Sequence, residues 1–211
     1  MTLLLLLAAA CALAYLPLSP RKPGLLRTAL KTASVALLAC GSALAGLPWL
    51  LTLALALCAA GDALLAQESE GGFMAGVGAF AAGHLAYVAL FLTHPAADPA
   101  RLAQAPLALG ALALLGLGMA LLLGPRAGAL RDPVLGYIPV ILAMGVAALT
   151  LPRIGGLALV LPAACAFIAS DTVLAAGKFL IPEGHPAQRL VPWLVWPLYW
   201  GAQAGFLVAF A

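Results

Sequence analysis

Charge is the scarcest thing in this chain. Its 211 residues include 10 lysines and arginines and 7 aspartates and glutamates, 8% of the total. A soluble domain carries about 25%, so water is a poor solvent for most of this surface. The strict apolar–polar alternation of a membrane β-barrel is also missing. Lipid offers the backbone no hydrogen bonds, so a spanning chain is helical or a closed barrel. Without the alternation, the helix remains. The four cysteines, Cys11, Cys40, Cys58 and Cys165, lie in apolar runs with no CxxC spacing and no metal-ligand spacing with histidine. They read as buried free thiols, and no metal site is expected. No basic residue precedes the first apolar run, which a signal peptide usually has. Although Ala12-Leu13-Ala14 resembles a cleavage site, the run reads as a retained span. The net charge of +3 is small, and it matters only through where the charges lie. No nucleic-acid partner is expected.

What is present is apolar: 65% of the residues are hydrophobic. At roughly 20 residues per crossing, the length allows about eight spans and no soluble domain. They are read at 2–18, 25–45, 48–67, 73–92, 103–123, 134–151, 154–176 and 190–210. The breaks carry loop chemistry: Pro20 to Gly24, Gly46-Leu47-Pro48, Glu68 to Gly72, His94 to Pro99, Gly124 to Pro133, Pro152-Arg153 and Pro182 to Pro186. The expected fold is all-α, one polytopic transmembrane helical bundle over residues 1–211. Odd-numbered loops and their helix ends carry Arg21, Lys22, Arg27, Lys31, Arg126, Arg131, Lys178 and Arg189. Even-numbered loops carry only Arg101 and Arg153. This sorting puts the odd loops in the cytoplasm and both termini outside. The 22 glycines, with many alanines, let helix backbones approach closely.

An ionisable group inside a span is costly, and so marks a functional candidate. Asp62 lies near the end of span 3, and Asp171 lies towards the end of span 7. Lys31 lies in the first turns of span 2 and Tyr137 opens span 6. His84 sits mid-way along span 4, with Tyr87 three residues on. Lys178 follows Asp171 by seven residues on one face, and Tyr199 and Gln203 share a face of span 8. The orientation brings most of these to the cytoplasmic end, so residues from six spans can line one pocket. Gly61-Asp62-Ala63-Leu64-Leu65-Ala66 resembles Ser170-Asp171-Thr172-Val173-Leu174-Ala175, four spans away. That fits a duplicated four-helix unit with two carboxylates across a pseudo-twofold axis.

The same residues carry a family resemblance. Gly61-Asp62 before an acidic loop, then Phe73, Gly78-Ala79-Phe80 and Gly83-His84-Leu85-Ala86-Tyr87, resembles the central motif of the YhhN-like lysoplasmalogenases. Ser170-Asp171 with Lys178-Phe179, and Tyr199 with Ala202-Gln203, resemble that family's C-terminal motifs. Lys31 occupies the place of its early lysine, and Tyr137 is a looser match. The resemblance covers about residues 25 to 205. The chain departs from the pattern where Trp200-Gly201 follows Tyr199.

The resemblance implies hydrolysis of the vinyl ether of a lysoplasmalogen. The products are a fatty aldehyde and glycerophosphocholine or glycerophosphoethanolamine. Lysophospholipid and membrane lipids are then the expected partners, with homo-oligomerisation left open. No cofactor is required. Protonation of the vinyl β-carbon gives an oxocarbenium ion that water attacks, so the site needs one acid and one anion, as in glycosidases. Asp62 and Asp171 are the catalytic candidates. Asp171 is taken as the anion because Lys178 shares its face. Lys31 or Lys178 would hold the lipid phosphate, the alternative for both being a structural ion pair with the aspartates. His84, Tyr87, Tyr137, Tyr199 and Gln203 would support the site. The expected location is a bacterial inner membrane, with the site towards the cytoplasm. Two rivals are a carrier with intramembrane carboxylates and an intramembrane aspartyl protease. The protease has the weaker case, since Ala60-Gly61-Asp62 is not a GxGD motif.

Overall fold

The computed structural model describes residues 2–22, 24–66 and 69–211. They form eight α-helices with 3-10 turns between several of them, and no strand occurs among the described residues. The helices are α1 (Thr2–Tyr15), α2 (Leu25–Leu44), α3 (Trp49–Leu65) and α4 (Glu70–Thr93), then α5 (Pro106–Leu123), α6 (Arg131–Ala148), α7 (Val160–Phe179) and α8 (Val191–Ala209). Four segments are long and apolar enough to cross a bilayer: Gly71–Thr93, Pro106–Arg126, Gly128–Ala148 and Gly155–Phe179. They make the chain a helical membrane protein.

Local chemistry explains the helix ends. Gly46 ends α2 with φ +66, a left-handed conformation that costs a residue with a Cβ far more than glycine. There the Gly46 amide donates to the Ala43 carbonyl at 3.1 Å, and the Leu47 amide to the Ser42 carbonyl at 3.1 Å. This is a Schellman cap. The Ser42 and Thr52 hydroxyls then join α2 to α3 at 2.8 Å. Several boundaries differ by 3 residues or more from the sequence reading, and two have a clear local cause. Residues 68–72 were expected to form a break, yet Ser69 caps α4, its hydroxyl accepting from the Gly72 amide at 3.0 Å. The cap satisfies an otherwise unpaired donor, so α4 starts at Glu70 rather than residue 73. Span 7 was expected from residue 154 and the apolar segment does run from Gly155, but its first turn, Gly155–Leu159, is 3-10 and α7 begins at Val160.

The main core is built from α1 to α4 and α6 to α8, with Leu38, Leu55, Tyr87, Phe91, Phe167 and Phe206 fully buried within it. Trp196 of α8 donates its indole N–H to the Ala12 carbonyl at 3.0 Å, which ties α8 to α1. A smaller cluster of Met119, Leu123, Ile138 and Ile141 joins α5 to α6. The closest approach of a helix backbone to a glycine is at Gly156, where a Cβ would lie 2.6 Å from the Ala209 carbonyl oxygen. That oxygen belongs to backbone and cannot rotate away. Gly156→Ala is therefore expected to cost about 1–3 kcal/mol of stability, the usual range for overpacking. It should be read as a lowered unfolding temperature in detergent, with Gly110→Ala, which meets nothing within 4 Å, as the control.

Candidate active site

The ends of α1, α3, α5 and α7 and the starts of α2, α4, α6 and α8 meet at one end of the bundle, around a cavity of about 550 Å³. Asp62, Asp171, Lys31, Tyr137, Lys178 and Tyr199 all line it. Most of the remaining wall is apolar, with Met119, Leu123, Val134, Ile138, Ile141 and Leu174 on the α5–α6–α7 side.

Each carboxylate has its own set of partners. Asp62 has a fully buried side chain. Its Oδ1 meets Lys31 Nζ at 2.8 Å, and its Oδ2 accepts from the Tyr199 hydroxyl at 2.8 Å. Asp171 Oδ2 accepts from the Tyr137 hydroxyl at 2.9 Å and faces His84 Nε2 at 3.5 Å. The His84 tautomer follows from its other nitrogen. Nδ1 lies 2.8 Å from the Phe80 carbonyl, an acceptor, so Nδ1 carries the hydrogen. In a neutral ring, Nε2 then holds only a lone pair. It has no other partner among the described residues. A lone pair facing a carboxylate is repulsive, so the His84–Asp171 pair is favourable when it holds a proton between its two atoms. Asp62 sits against an ammonium, whereas Asp171 sits against a tyrosine hydroxyl and an imidazole nitrogen.

The partners also cross the chain in a regular way. Asp62 on α3 takes Lys31 from α2 and Tyr199 from α8. Asp171 on α7 takes Tyr137 from α6 and His84 from α4. Each aspartate therefore has one partner from its own half of the chain and one from the other. Lys31 and Tyr137 are both the seventh residue of their helices.

Three sequence expectations need correction. Lys178 does not pair with Asp171; its Nζ lies 4.4 Å from the Phe73 ring centroid. Seven residues are about 10 Å along a helix, and the lysine reaches an aromatic face near its own end instead. Lys31 is occupied by Asp62 rather than free for phosphate. Tyr87 and Gln203 are fully buried outside the cavity wall, with the Tyr87 hydroxyl donating to Gln203 Oε1 between α4 and α8. His84 is fully buried too, yet it touches the site through Asp171.

Other lining residues had gone unremarked. Arg27 and Tyr15 reach the cavity, as does Gln188, whose amide nitrogen donates to the Gly177 and Ile181 carbonyls at 2.6 and 2.8 Å. In the sequence Arg27 counts only as an orienting charge. Its position four residues before Lys31, on the same helix face, was the available signal.

Fold and site together define a helical membrane protein with a pocket lined by two carboxylates and otherwise mostly by apolar side chains. The chain belongs to the YhhN family, whose model matches residues 26–210, and that family includes lysoplasmalogenases. No curated protein and no solved structure matches it.

Proposed function

We propose that this protein is a lysoplasmalogenase, which cleaves the vinyl ether of a lysoplasmalogen to a fatty aldehyde and a glycerophospho head group. The observation that carries the reading is the unequal pair of carboxylates facing one largely apolar cavity. Membership of the YhhN family supports it.

The chemistry follows from the partners. Asp171 is the acid and Asp62 the anion, the reverse of the sequence-based assignment. The proton held at Asp171 and His84 passes to the vinyl β-carbon, leaving an oxocarbenium ion at the α-carbon. The Asp62 carboxylate faces the cation and takes a proton from water as the water oxygen bonds to that carbon. The product is a hemiacetal. Asp62 then returns its proton to the departing glycerol oxygen, and Asp171 takes the hemiacetal hydroxyl proton as the carbonyl forms. One water is consumed, and both carboxyl groups end as they began. Paired carboxylates divide the work similarly in glycosidases.

In the same reading, all eight helices cross the bilayer as one domain, with both termini outside and the cavity towards the cytoplasm. The exchanged partners support descent from a duplicated four-helix unit, α2 corresponding to α6 and α4 to α8.

The deciding assay incubates the purified protein with choline and ethanolamine lysoplasmalogens and measures free aldehyde. Absence of aldehyde from both sinks the reading. Flux of lysolipid across sealed liposomes without product would make the protein a carrier. Tyr137→Phe removes the hydroxyl that donates to Asp171. It is expected to lower kcat about 10-fold, the worth of one charge-assisted hydrogen bond, with KM for lysoplasmalogen little changed.

A further inference from the structure

The cavity lining carries three cations, and they are not equivalent. Lys31 is paired with Asp62. Arg27 and Lys178 have no carboxylate within ion-pair reach among the described residues. Arg27 lies in the first turn of α2 and Lys178 in the last turn of α7, so both sit at the same end of the bundle.

Arg27 is held in place without being used up. Its Nη2 donates to the Ser19 carbonyl at 3.1 Å, and its guanidinium carbon lies 5.7 Å from the Tyr15 ring centroid. Its Nε is buried and has no hydrogen-bond partner among the described residues. A guanidinium presents five N–H donors in a rigid fork suited to phosphate. A buried donor left unpaired costs about 1–3 kcal/mol, so an oxygen anion arriving there relieves a deficit already present in the protein.

Spacing narrows the ligand. Arg27 precedes Lys31 by four residues, about 6 Å of helix axis at 1.5 Å per residue. The Lys31–Asp62 pair marks the depth of the anion. In a glycerophospholipid, five single bonds separate the sn-1 ether oxygen from phosphorus, an extended reach of roughly 6 Å because bonds of about 1.5 Å zigzag at tetrahedral angles. A lipid with its ether at Asp62 therefore carries its phosphate at the level of Arg27.

We propose that Arg27 binds the phosphodiester of the lysolipid head group, with Lys178 adding a second positive charge at the same end. The assignment rests on the hydrolase reading for the identity of the substrate but not for its test. The probe is a saturated 1-O-alkyl lysophosphocholine, which lacks the vinyl bond and cannot be turned over, compared with the 1-O-alkylglycerol of equal chain length. Binding is measured by equilibrium dialysis in detergent on wild type, Arg27→Gln and Arg27→Lys. The glutamine amide ends near the position of Arg27 Nε, short of the Ser19 carbonyl, so the alkylglycerol arm is the control for any loosening of that end of the bundle.

Arg27→Gln is expected to weaken the phosphate-bearing ether about 10-fold or more, the worth of a charged hydrogen bond, and to leave the alkylglycerol unchanged. Arg27→Lys should recover part of the loss, since lysine keeps the charge without the fork. Equal loss on both probes, or none on either, overturns the proposal. So does displacement of the bound ether by inorganic phosphate as readily as by glycerophosphocholine, which would make the site one for free phosphate. If the phosphate preference depends on Arg27 while no aldehyde forms from lysoplasmalogen, the clamp stands and the hydrolase reading falls.

Discussion

Asp171→Asn is expected to abolish aldehyde release, lowering kcat about 10³-fold, within the range contributed by a positioned proton donor. Asparagine has nearly the same shape as aspartate. The contacts with Tyr137 and His84 both fall on Oδ2, so an asparagine carbonyl at that position still accepts from the Tyr137 hydroxyl, and only the longer contact to His84 Nε2 loses its proton. What it cannot do is deliver a proton to carbon. The variant should thus fold, purify and bind the saturated ether as wild type does. A kcat within a few fold of wild type, measured by aldehyde trapping in detergent, would remove Asp171 from the mechanism. Loss of ether binding in parallel with turnover would make its role one of binding rather than proton transfer.

The second large effect concerns stability. Lys31→Met takes the ammonium from a carboxylate with no exposed surface. A buried charge stripped of its partner costs about 3–5 kcal/mol, whereas replacing both partners of a buried pair is often near neutral. Lys31→Met is expected to lower the unfolding temperature sharply. Adding Asp62→Asn should restore most of it, because the uncharged amide can still accept from the Tyr199 hydroxyl. The double variant should remain inactive, having a sound fold and no anion. Additive destabilisation in the double variant would show that the pair contributes little, and recovered activity would show that Asp62 is not the base.

The helices were legible in the sequence because apolar runs of sufficient length are broken by proline, glycine and charge. Seven of the eight helices start within 3 residues of the expected positions; among those off by 3 is α4, whose start is set by the Ser69 cap. The 3-10 turn before α7 was not legible, since Gly155 to Leu159 is as apolar as the helix it precedes. For the site, intramembrane cost alone selected Asp62, Asp171, Lys31, His84, Tyr137 and Tyr199. Their pairing was not legible. Same-face spacing suggested Lys178 for Asp171, but side-chain reach across neighbouring helices chose Lys31 for Asp62. Spacing along one helix carries no information about which other helix lies opposite. For the same reason Tyr87 and Gln203 looked like site residues when they are partners in a buried contact between α4 and α8.

The exchange of partners between the two halves has a kinetic consequence. Two carboxyl groups related by a twofold and given identical neighbours would have the same affinity for a proton. The pair would then start some turnovers with the proton on the wrong side and would have to wait for it to move. Here one group keeps an amine beside it and the other an imidazole. On the proposed cycle each carboxyl group also ends in the protonation state in which it began, Asp171 giving one proton to carbon and taking another from the hemiacetal hydroxyl. The enzyme is therefore ready for the next lipid as soon as the aldehyde leaves, with no resetting step in between.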